Sequence, residues 1–410
     1  MEPLVFKLNK TDSIIKNDIN ASSSNTTIQY PLSSLGFHHY IHQTRSKMEK
    51  TKQFEGKKQI FYVVNPFEKN IDDYQDDIQH VAAKYFDTKI LSRAFYNLWE
   101  ILYTFDLIDL NEKNFTSAHL AEAPGSFIQA TMFFRDLFSK NSKNDKYHVV
   151  TLDTDDPGAK IPAEFISANK RVMLHRTYPR DIARIDKTKN DGDLTNPKTI
   201  EMFGGEVKKA QFITADGGFR WDNETIQEQE VFKLLVGQII TAIKIQDIKG
   251  NFVCKFYETF TINSAKLLAI LTELYENVYI IKPYTSRPSN SEKYVICINF
   301  NNKNLDIIVD KLLAILNEKG KFITNMFPSY ELASSFRTAI TNINISIANQ
   351  QYIIINKMVE FIDSQNYRGE QYQNYRYDQI RANKFWIETF LPPKDKFISE
   401  RTKYQKSIKI

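Results

Sequence analysis

The sequence predicts an α/β fold in which a doubly wound, mostly parallel sheet carries helices on both faces, followed by a helical C-terminal extension. Between residues 117 and 300, short apolar runs that are typical of strands alternate with stretches of helical periodicity such as 226–246 and 263–275. The strand-like runs are SAHLAEA, YHVVTLD, QFITAD, NFVCKFY, NVYIIKP and KYVICINF. Sheets of this kind bind ligands at the carboxyl ends of their strands, where several unusual residues of this chain fall.

Composition and periodicity divide the chain into three segments. Residues 1–55 are polar, contain the run ASSSNTT, and predict an extended, partly disordered arm. The α/β domain takes residues 56–302 and opens with a predicted strand, QIFYVVNPF (59–67), and a predicted helix over 89–105. Residues 303–410 predict long amphipathic helices that pack on this domain and end in a basic tail.

The composition is that of an ordinary globular protein and excludes several classes. Of the 410 residues, 42% are hydrophobic and 25% are charged, and no stretch approaches the roughly 18 uninterrupted apolar residues of a membrane helix. The amino terminus lacks the pattern of a secretory signal, so we expect an intracellular, cytoplasmic protein without a membrane contact. Cys254 and Cys297 lie in separate apolar runs, which indicates small buried side chains and no zinc or disulfide framework.

The basic tail leaves two interpretations open. Six basic residues and two acidic ones lie between Lys394 and Lys409, while the whole chain has a formal charge of only +5. Such a tail either follows a phosphate backbone or forms a solvated surface, and the sequence favours neither.

Two motifs in the first half of the domain suggest a nucleotide-type ligand. Ala121–Phe127 (AEAPGSF) ends a strand and opens a helix, and its turn of Pro124, Gly125 and Ser126 lets the backbone approach a ligand beside free helical N–H groups. Any tight turn between a strand and a helix uses Pro-Gly as well. Asp153 ends the next strand, where an acid either accepts hydrogen bonds from a ribose or caps a turn.

The segment Asp191–Thr195 (DGDLT) superficially suggests a calcium loop. An EF-hand register would place Lys187 and Lys189 at ligand positions, so we expect no metal there. A polar turn is the simpler interpretation, and contact of Asp193 with an adenine is the alternative.

Three further charged residues fall at or near strand ends. Asp216 follows the strand QFI and precedes two glycines, which suits a group exposed to a ligand crevice. Lys255 interrupts an apolar strand; a lysine is rarely buried without a partner, although a side chain that reaches solvent from the strand end explains it equally well. Glu292 lies in the turn SRPSNSEKY, which leads into the final strand.

The order of these motifs resembles that of the FtsJ-like ribose 2′-O-methyltransferases, most closely the cap-specific members from large cytoplasmic DNA viruses and from eukaryotes. The match covers about residues 89–300, and Ser-Arg-Pro-x-x-Ser-Glu-Lys-Tyr is its most specific part. The resemblance implies a Rossmann-like methyltransferase fold, S-adenosyl-L-methionine (SAM) as methyl donor, and RNA, capped mRNA in particular, as acceptor. It also implies which residues contact SAM: Pro124, Gly125 and Ser126 at its methionine part, Asp153 and Asp193 at its adenosine, and Asp216 beside it.

The family arranges a Lys-Asp-Lys-Glu tetrad around the target hydroxyl. By resemblance, Asp216 is the aspartate, Lys255 the second lysine and Glu292 the glutamate. Lys255 would assist deprotonation of the 2′-hydroxyl, while the two acids hold the lysine and tune its pKa. The chain departs from the family pattern at Ser126, where a second glycine is usual, and at Asn97, which stands at the position of the first lysine.

The change at Asn97 bears directly on activity. An asparagine donates a hydrogen bond but adds no positive charge beside a developing alkoxide. Losing one such electrostatic group typically costs on the order of 100-fold in rate.

Two functions follow from these residues. The first is a cap ribose 2′-O-methyltransferase, supported by Asp216, Lys255 and Glu292. The alternative, motivated by Asn97, is a catalytically silent subunit that binds RNA or a partner in a capping or transcription complex. A third possible function is that of an enzyme acting on ribosomal or transfer RNA. The proline of Ser-Arg-Pro and the long flanking extensions favour cap substrates over these RNAs.

The segment 366–381 (NYRGEQYQNYRYDQIR) interleaves tyrosine with arginine. This pattern suits stacking on single-stranded RNA or on a cap base. A helix that packs its tyrosines on the catalytic domain is the simpler interpretation.

Overall fold

Strands and helices alternate along most of the chain. The computed structural model describes residues 3–18, 21–25, 32, 35–71, 74–154, 156, 159–178, 191–218, 226–301 and 305–408. The strands in these ranges are β1 (Leu4–Leu8), β2 (Ser22–Ser24), β3 (Thr116–Leu120), β4 (Lys146–Val150), β5 (Val172–Leu174), β6 (Ala210–Ala215), β7 (Gln246–Phe256), β8 (Tyr275–Lys282), β9 (Lys293–Phe300) and β10 (Phe322–Asn325). The α-helices are α1 (Leu35–Ser46), α2 (Ile78–Phe86), α3 (Ala94–Thr104), α4 (Ser126–Phe138), α5 (Ala163–Ala168), α6 (Pro197–Glu206), α7 (Gln227–Ile245), α8 (Ile262–Leu274), α9 (Leu305–Leu316), α10 (Ser334–Ser364), α11 (Glu370–Phe390) and α12 (Phe397–Ser407).

An eight-stranded sheet in the order β1-β8-β9-β7-β6-β3-β4-β5 forms the centre of the fold. Strands β5, β4, β3, β6 and β7 are parallel, whereas β9 runs antiparallel to both of its neighbours and β1 antiparallel to β8. The predicted α/β fold with a doubly wound, mostly parallel sheet is therefore confirmed. Strand order reverses between β3 and β6, which places the expected ligand crevice above their carboxyl ends.

Strand β7 shows how the sheet is buried on both faces. Phe252, Cys254 and Phe256 lie in an apolar cluster with α7 and α8, while Val253 lies in a second cluster with α3 and α4. This alternation of period two is expected of a strand that is covered on both sides. Cys254 and Cys297 are buried free thiols, as the sequence predicted.

The run QIFYVVNPF does not form the predicted strand. Ile60–Val64 is a 3-10 helix in which the Asn65 N–H donates to the Tyr62 carbonyl at 2.9 Å. Short apolar runs do not distinguish a strand from a buried helical turn. Here the apolar side chains form a third cluster with α10 rather than joining the sheet; they are Phe61, Val63 and Val64.

The segment 1–55, predicted as a polar arm, adds an edge strand to the main sheet. In β1, Leu4 pairs with Lys282 and Leu8 with Val278 of β8, and β2 pairs with β10 of the C-terminal extension. The polar average of this segment conceals the apolar run LVF, so the sheet begins before the boundary that composition indicates. Residues 19–20, 26–31 and 33–34 lie outside the described residues, and for them the predicted disorder stays a prediction.

The C-terminal extension contains the predicted helices and packs on the α/β domain. Arg401 of α12, within the predicted basic tail, is buried. It donates to the carbonyls of Tyr103 at 3.2 Å and Phe105 at 2.6 Å and pairs with Asp106 at 2.9 Å. Arg401 therefore anchors α12 at the end of α3 and is available neither to a phosphate backbone nor to solvent. Lys409 of the same tail lies outside the described residues.

Glu100 of α3 joins three parts of the chain in the interior. Its carboxylate accepts hydrogen bonds from the N–H groups of Tyr284 at 2.7 Å and Thr285 at 2.9 Å, and from the Trp386 indole at 2.8 Å. The Thr285 hydroxyl lies 2.6 Å from Oε1 of Glu100, the oxygen that also accepts from the Thr285 N–H and the Trp386 indole. Because Tyr284 and Thr285 begin the loop after β8 and Trp386 belongs to α11, one buried side chain ties this loop and the extension to α3.

We expect Glu100→Gln to lower the free energy of unfolding by about 1–3 kcal/mol, because an amide donor would face N–H groups that need an acceptor. Urea unfolding measures the effect. Glu388→Gln on α11, where the glutamate is 66% exposed, is the control and should change the midpoint little. Equal midpoints for the two variants would contradict the role of Glu100.

His148 of β4 and His175, directly after β5, form a half-buried imidazole pair. Nδ1 of His148 lies 2.8 Å from Nε2 of His175, and the rings stack. Burial and the neighbouring His175 lower the pKa of His148 to about 4, and burial also lowers the pKa of His175. Both rings are therefore neutral in the folded protein near neutral pH.

Because of this pair, we expect the free energy of unfolding to decline in mild acid. Between the unfolded pKa of about 6.5 and the lower folded value, the unfolded chain binds more protons, so the free energy of unfolding falls as pH falls through this window. We expect His148→Gln to reduce the decline between about pH 7.5 and 5 by about 1–2 kcal/mol. Urea unfolding at both pH values tests this, and an unchanged slope for the variant would refute it.

Candidate active site

The carboxyl ends of β6 and β7 bring a lysine and an aspartate into contact. Asp216 directly follows β6, and Lys255 is the penultimate residue of β7. The Lys255 ammonium lies 3.1 Å from the Asp216 carboxylate and donates to the Asp216 carbonyl at 2.8 Å. Two of the predicted catalytic residues thus form a largely buried ion pair at the edge of the sheet where ligands bind.

Glu292 joins this pair through hydrogen bonds. Its Oε1 accepts from the Ser286 hydroxyl at 3.1 Å and from the Tyr294 hydroxyl at 3.2 Å. The Tyr294 hydroxyl also lies 3.5 Å from Oδ1 of Asp216. The structure therefore brings Asp216, Lys255 and Glu292 together, with Tyr294 between the two acids.

Burial and neighbouring charges shift the pKa values of Lys255 and Asp216. Burial disfavours the ammonium form of Lys255, but the carboxylates of Asp216 and Glu292 outweigh it and raise the lysine pKa above its ordinary value. Burial raises the pKa of Asp216, which Lys255 opposes. At neutral pH Lys255 is therefore a charged donor that is held in place by a carboxylate.

Asn97 occupies a buried position on α3 in the same network. Its Nδ2 donates to Oε1 of Glu292 at 3.1 Å and lies 3.2 Å from the Tyr294 hydroxyl. Its Oδ1 accepts from the Thr285 hydroxyl at 2.8 Å. Both ends of the amide are thus used, and Asn97 orients Glu292 without adding a positive charge.

Lys282, at the end of β8, fixes the loop that carries Glu292. Its ammonium donates to the carbonyls of Glu292 at 2.7 Å and Asn290 at 3.1 Å, and lies 3.3 Å from the Ser286 hydroxyl. Burial lowers the pKa of Lys282 to about 7. Sequence reasoning did not single out this residue, although a lysine that ends an apolar strand just before a proline was a visible signal.

The loop Ala121–Gly125 connects β3 to α4 beside the same cluster. Gly125 has φ of 101°, a left-handed conformation that favours glycine, and a Cβ there would come within 3.4 Å of the Ile161 side chain. Ser126 begins α4, and its hydroxyl lies 2.7 Å from that of Ser92. The predicted turn between β3 and α4 is therefore present, and its approach to a ligand stays a prediction.

Glu122 of this loop is a buried acid to which the sequence motif assigned no role. Its Oε1 accepts from the Phe127 N–H at 2.6 Å, which caps the start of α4. Its Oε2 is buried and has no hydrogen-bond partner in the part of the chain that the structure describes. Burial and the nearby Asp216 raise the pKa of Glu122 well above its ordinary value, which favours its neutral form.

A small cavity lies beyond the carboxyl ends of β4 and β5. Its lining residues are Thr151, Leu152, Asp153, Lys160, Ile161, Leu174, His175, Arg176 and Asp191. Arg176 bridges two of these acids at 2.9 Å each, Asp153 and Asp191. The cavity thus contains the predicted Asp153 and also Asp191, an acid of the DGDLT segment for which the sequence indicated no ligand role.

The structure does not place Asp193 in the lining of this cavity. Its carboxylate accepts from the N–H of Thr195 at 2.9 Å and from the Thr195 hydroxyl at 2.8 Å, in the turn before α6. Asp191, two residues earlier, takes the place at the cavity and accepts from the N–H groups of Thr177 and Tyr178. The polar-turn interpretation thus describes the observed contacts of Asp193, and its predicted contact with adenine stays a prediction.

The tyrosines of segment 366–381 divide between packing and exposure. Three of them contact the Phe361 ring of α10, so Tyr367, Tyr372 and Tyr375 pack within the C-terminal extension and not, in these contacts, on the α/β domain as the simpler interpretation expected. Tyr377 is 63% exposed.

Metal-binding clusters and membrane-spanning helices are both absent from the described residues. These residues contain no group of three or more His, Cys, Asp or Glu side chains arranged to hold a metal ion. Over the same residues, none of the helices combines the length and apolar character that crossing a membrane requires.

Comparisons with known proteins give a consistent result. A family model described as FtsJ-like methyltransferase matches residues 90–300. Cap-specific mRNA (nucleoside-2′-O-)-methyltransferase 2 of Drosophila melanogaster is 33% identical over 232 residues, which cover 54% of this chain and 32% of that protein. Cap-specific mRNA (nucleoside-2′-O-)-methyltransferase 1 of Caenorhabditis elegans is 28% identical over 300 residues (69% and 31%), and that of Homo sapiens 38% identical over 132 residues (30% and 16%). The chain spans about a third or less of the length of these relatives.

The matched residues 90–300 take up slightly more than half of the chain. They contain α3, every strand from β3 to β9, and the cluster of Asn97, Asp216, Lys255 and Glu292. The chain therefore belongs to the FtsJ-like methyltransferase family.

Proposed function

We propose that this protein transfers a methyl group from SAM to a ribose 2′-hydroxyl of RNA, at the 5′ cap of mRNA. The observation that carries the proposal is the buried cluster in which Lys255 contacts Asp216 while Glu292 is held by Tyr294 and Asn97. The names of the relatives, cap-specific mRNA (nucleoside-2′-O-)-methyltransferases, support the same acceptor group.

The residues at the strand ends fit SAM as the methyl donor. Gly125 adopts the left-handed conformation that leads the chain into α4, whose N–H groups favour the carboxylate of an amino acid. Asp153 lies in a cavity at the end of β4, where an acid accepts ribose hydroxyls. Pro124 and Ser126 complete the loop, and the unpartnered buried oxygen of Glu122 adds a polar group on the same side. When bound, SAM supplies an electrophilic methyl group on a sulfonium.

The cluster provides what a ribose hydroxyl needs to react. The enzyme must align the hydroxyl and remove or stabilise its proton. Asp216 holds Lys255, whose neutral amine takes up the proton of the 2′-hydroxyl and whose resulting ammonium stabilises the alkoxide that develops on the 2′-oxygen. A lysine accepts the hydroxyl proton only in its neutral form, and the carboxylates raise the pKa of Lys255. The rate of methyl transfer therefore rises with pH over the neutral and mildly alkaline range.

A second candidate function is a silent subunit that binds SAM and RNA without methylating. Asn97 favours it, because its amide is committed to Thr285, Glu292 and Tyr294 and adds no charge to the site. Such a subunit would act in a capping or transcription complex.

We further propose capped mRNA as the substrate, subunits of the capping or transcription machinery as partners, and the cytoplasm as the location. The names of the relatives support the first of these. The relatives reported above come from animals, so the affiliation with large DNA viruses stays a prediction.

We expect Lys255→Ala to lower methyl transfer by about 100-fold or more, because it removes the only cation in contact with Asp216 among the described residues. The measurement is transfer of a labelled methyl group from SAM to short RNAs of one sequence, with and without a methylated guanosine cap. Digestion to nucleosides then locates the methyl group.

Lys244→Ala, an exposed lysine on α7, is the matched control and should transfer at the wild-type rate. Cap-dependent labelling of a 2′-hydroxyl that Lys255→Ala abolishes supports the proposal. Wild-type and Lys255→Ala proteins that both bind SAM and RNA but transfer no methyl group would favour the silent subunit.

A further inference from the structure

We propose that a pocket between the C-terminal extension and the catalytic domain binds a nucleotide of the RNA substrate outside the site of methyl transfer. This inference rests on the proposed function for its choice of ligand. The pocket, called here the α11 pocket, has a volume of about 200 Å³. Its lining residues are Lys58, Gln59, Ile60, Tyr62, Val63, Glu68, Asn70, Arg287, Tyr372, Arg376 and Gln379.

The lining of the α11 pocket favours an anionic ligand. Lys58, Arg287 and Arg376 contribute three cations, and Glu68 is the one carboxylate among the lining residues. Glu68 is already shared between Arg287, at 3.3 Å, and Arg93. Arg376 is half-buried on α11 and forms no ion pair or hydrogen bond within the described ranges. A half-buried, unpaired guanidinium at a pocket is suited to a phosphate, which it binds through two parallel hydrogen bonds.

A buried acceptor in the same pocket indicates that the ligand also carries a donor group. The Nε2 of Gln379 donates to the carbonyls of Tyr62 at 3.2 Å and Asn65 at 3.1 Å, which fixes the orientation of this amide. Its Oε1 is buried and has no partner among the residues described. Leaving a buried acceptor unsatisfied costs about 1–3 kcal/mol, and a base N–H or a ribose hydroxyl would satisfy it.

Aromatic rings at the pocket add a surface for a base. The Arg287 guanidinium lies over the Tyr62 ring, 3.7 Å from its centroid. Tyr372 lines the pocket on the side of α11. Phosphate-binding arginines, stacked planar groups and a hydrogen-bond acceptor are the features by which proteins bind single-stranded RNA. The volume equals that of roughly six or seven water molecules in the liquid, which admits a phosphate or a planar ring.

The pocket is directly connected to the catalytic cluster. Arg287 follows Ser286, whose hydroxyl donates to Glu292 at 3.1 Å. Arg93, which shares Glu68 with Arg287, donates to the carbonyl of Thr285. An RNA strand bound in the α11 pocket would thus contact the loop that positions Glu292. Tyr372, Arg376 and Gln379 lie outside residues 90–300, so their side of the α11 pocket belongs to the extension and not to the segment matched by the family model.

The test compares Arg376→Gln with Arg381→Gln in RNA binding by fluorescence anisotropy. Arg381 lies five residues further along α11, is 77% exposed and pairs with Asp378, so the control has the same charge change on the same helix. We expect Arg376→Gln to weaken RNA binding by about tenfold at low salt and to reduce the slope of log affinity against log salt by about 0.7, the loss of one phosphate contact. Arg381→Gln should remain within about twofold of the wild type.

Two RNA probes distinguish the sources of the nucleotide. Weaker binding of both capped and uncapped RNA assigns the pocket to a nucleotide of the chain, whereas weaker binding of capped RNA alone assigns it to the cap nucleotide. Identical affinity and salt slope for Arg376→Gln and Arg381→Gln would overturn the proposal, as would a wild-type protein that binds neither RNA.

The outcome is independent of methyl transfer. Selective loss of RNA binding in Arg376→Gln, with SAM affinity by calorimetry unchanged, supports the pocket even if the wild type transfers no methyl group. Conversely, the wild type could methylate capped RNA while Arg376→Gln binds RNA with normal affinity. That result would support the proposed function and contradict RNA binding at the α11 pocket.

Discussion

The ion pair between Lys255 and Asp216 is the interaction on which the rest of the site depends. The two side chains are only 10% and 14% exposed, so removing either would leave a buried charge without compensation, a loss that costs about 3–5 kcal/mol. Adjacent parallel strands supply both residues at their carboxyl ends. Glu292 reaches the same edge because β9 is antiparallel and begins opposite the end of β7, where Lys293 pairs with Phe256. The reversal of one strand thus brings the third charged group to the pair.

The second constraint comes from α3. Asn97 and Glu100 lie three residues apart on one face of this helix. Asn97 bonds Glu292, and Glu100 bonds the first residues of the loop that ends in Glu292 and also the indole of Trp386 in α11. The position that carries a lysine in the family therefore has a positioning role here, and the C-terminal extension shares an anchor with the catalytic loop.

Much of this site could be predicted from sequence, because its charged residues stand at strand ends within recognisable motifs. The strands that carry Asp216, Lys255 and Glu292 were visible as apolar runs, and their order matched a known pattern. Tyr294 was part of the same motif, but its position between two acids depends on the pairing of β9 with β7. Asp191 rather than Asp193 lines the cavity because of the backbone conformation of the turn at 191–195. The composition of this segment does not predict that conformation. Ile60–Val64 was mistaken for a strand because its contacts are with α10, almost 300 residues away in sequence. The unpartnered oxygen of Gln379 likewise has no signal in sequence, since it results from two helices meeting.

The most direct test of the account is a single-turnover measurement of 2′-O-methylation with the wild type and Asn97→Lys in parallel. Enzyme in excess over capped RNA and saturating SAM would be quenched over time, and the RNA digested to nucleosides. We predict that the wild type converts the bound RNA to a 2′-O-methylated product, because Asp216 holds Lys255 and Asn97 keeps Glu292 in place without a second lysine. A wild type that binds both SAM and RNA but forms no such nucleoside, while Asn97→Lys forms it, would contradict the account and identify the natural protein as a silent subunit.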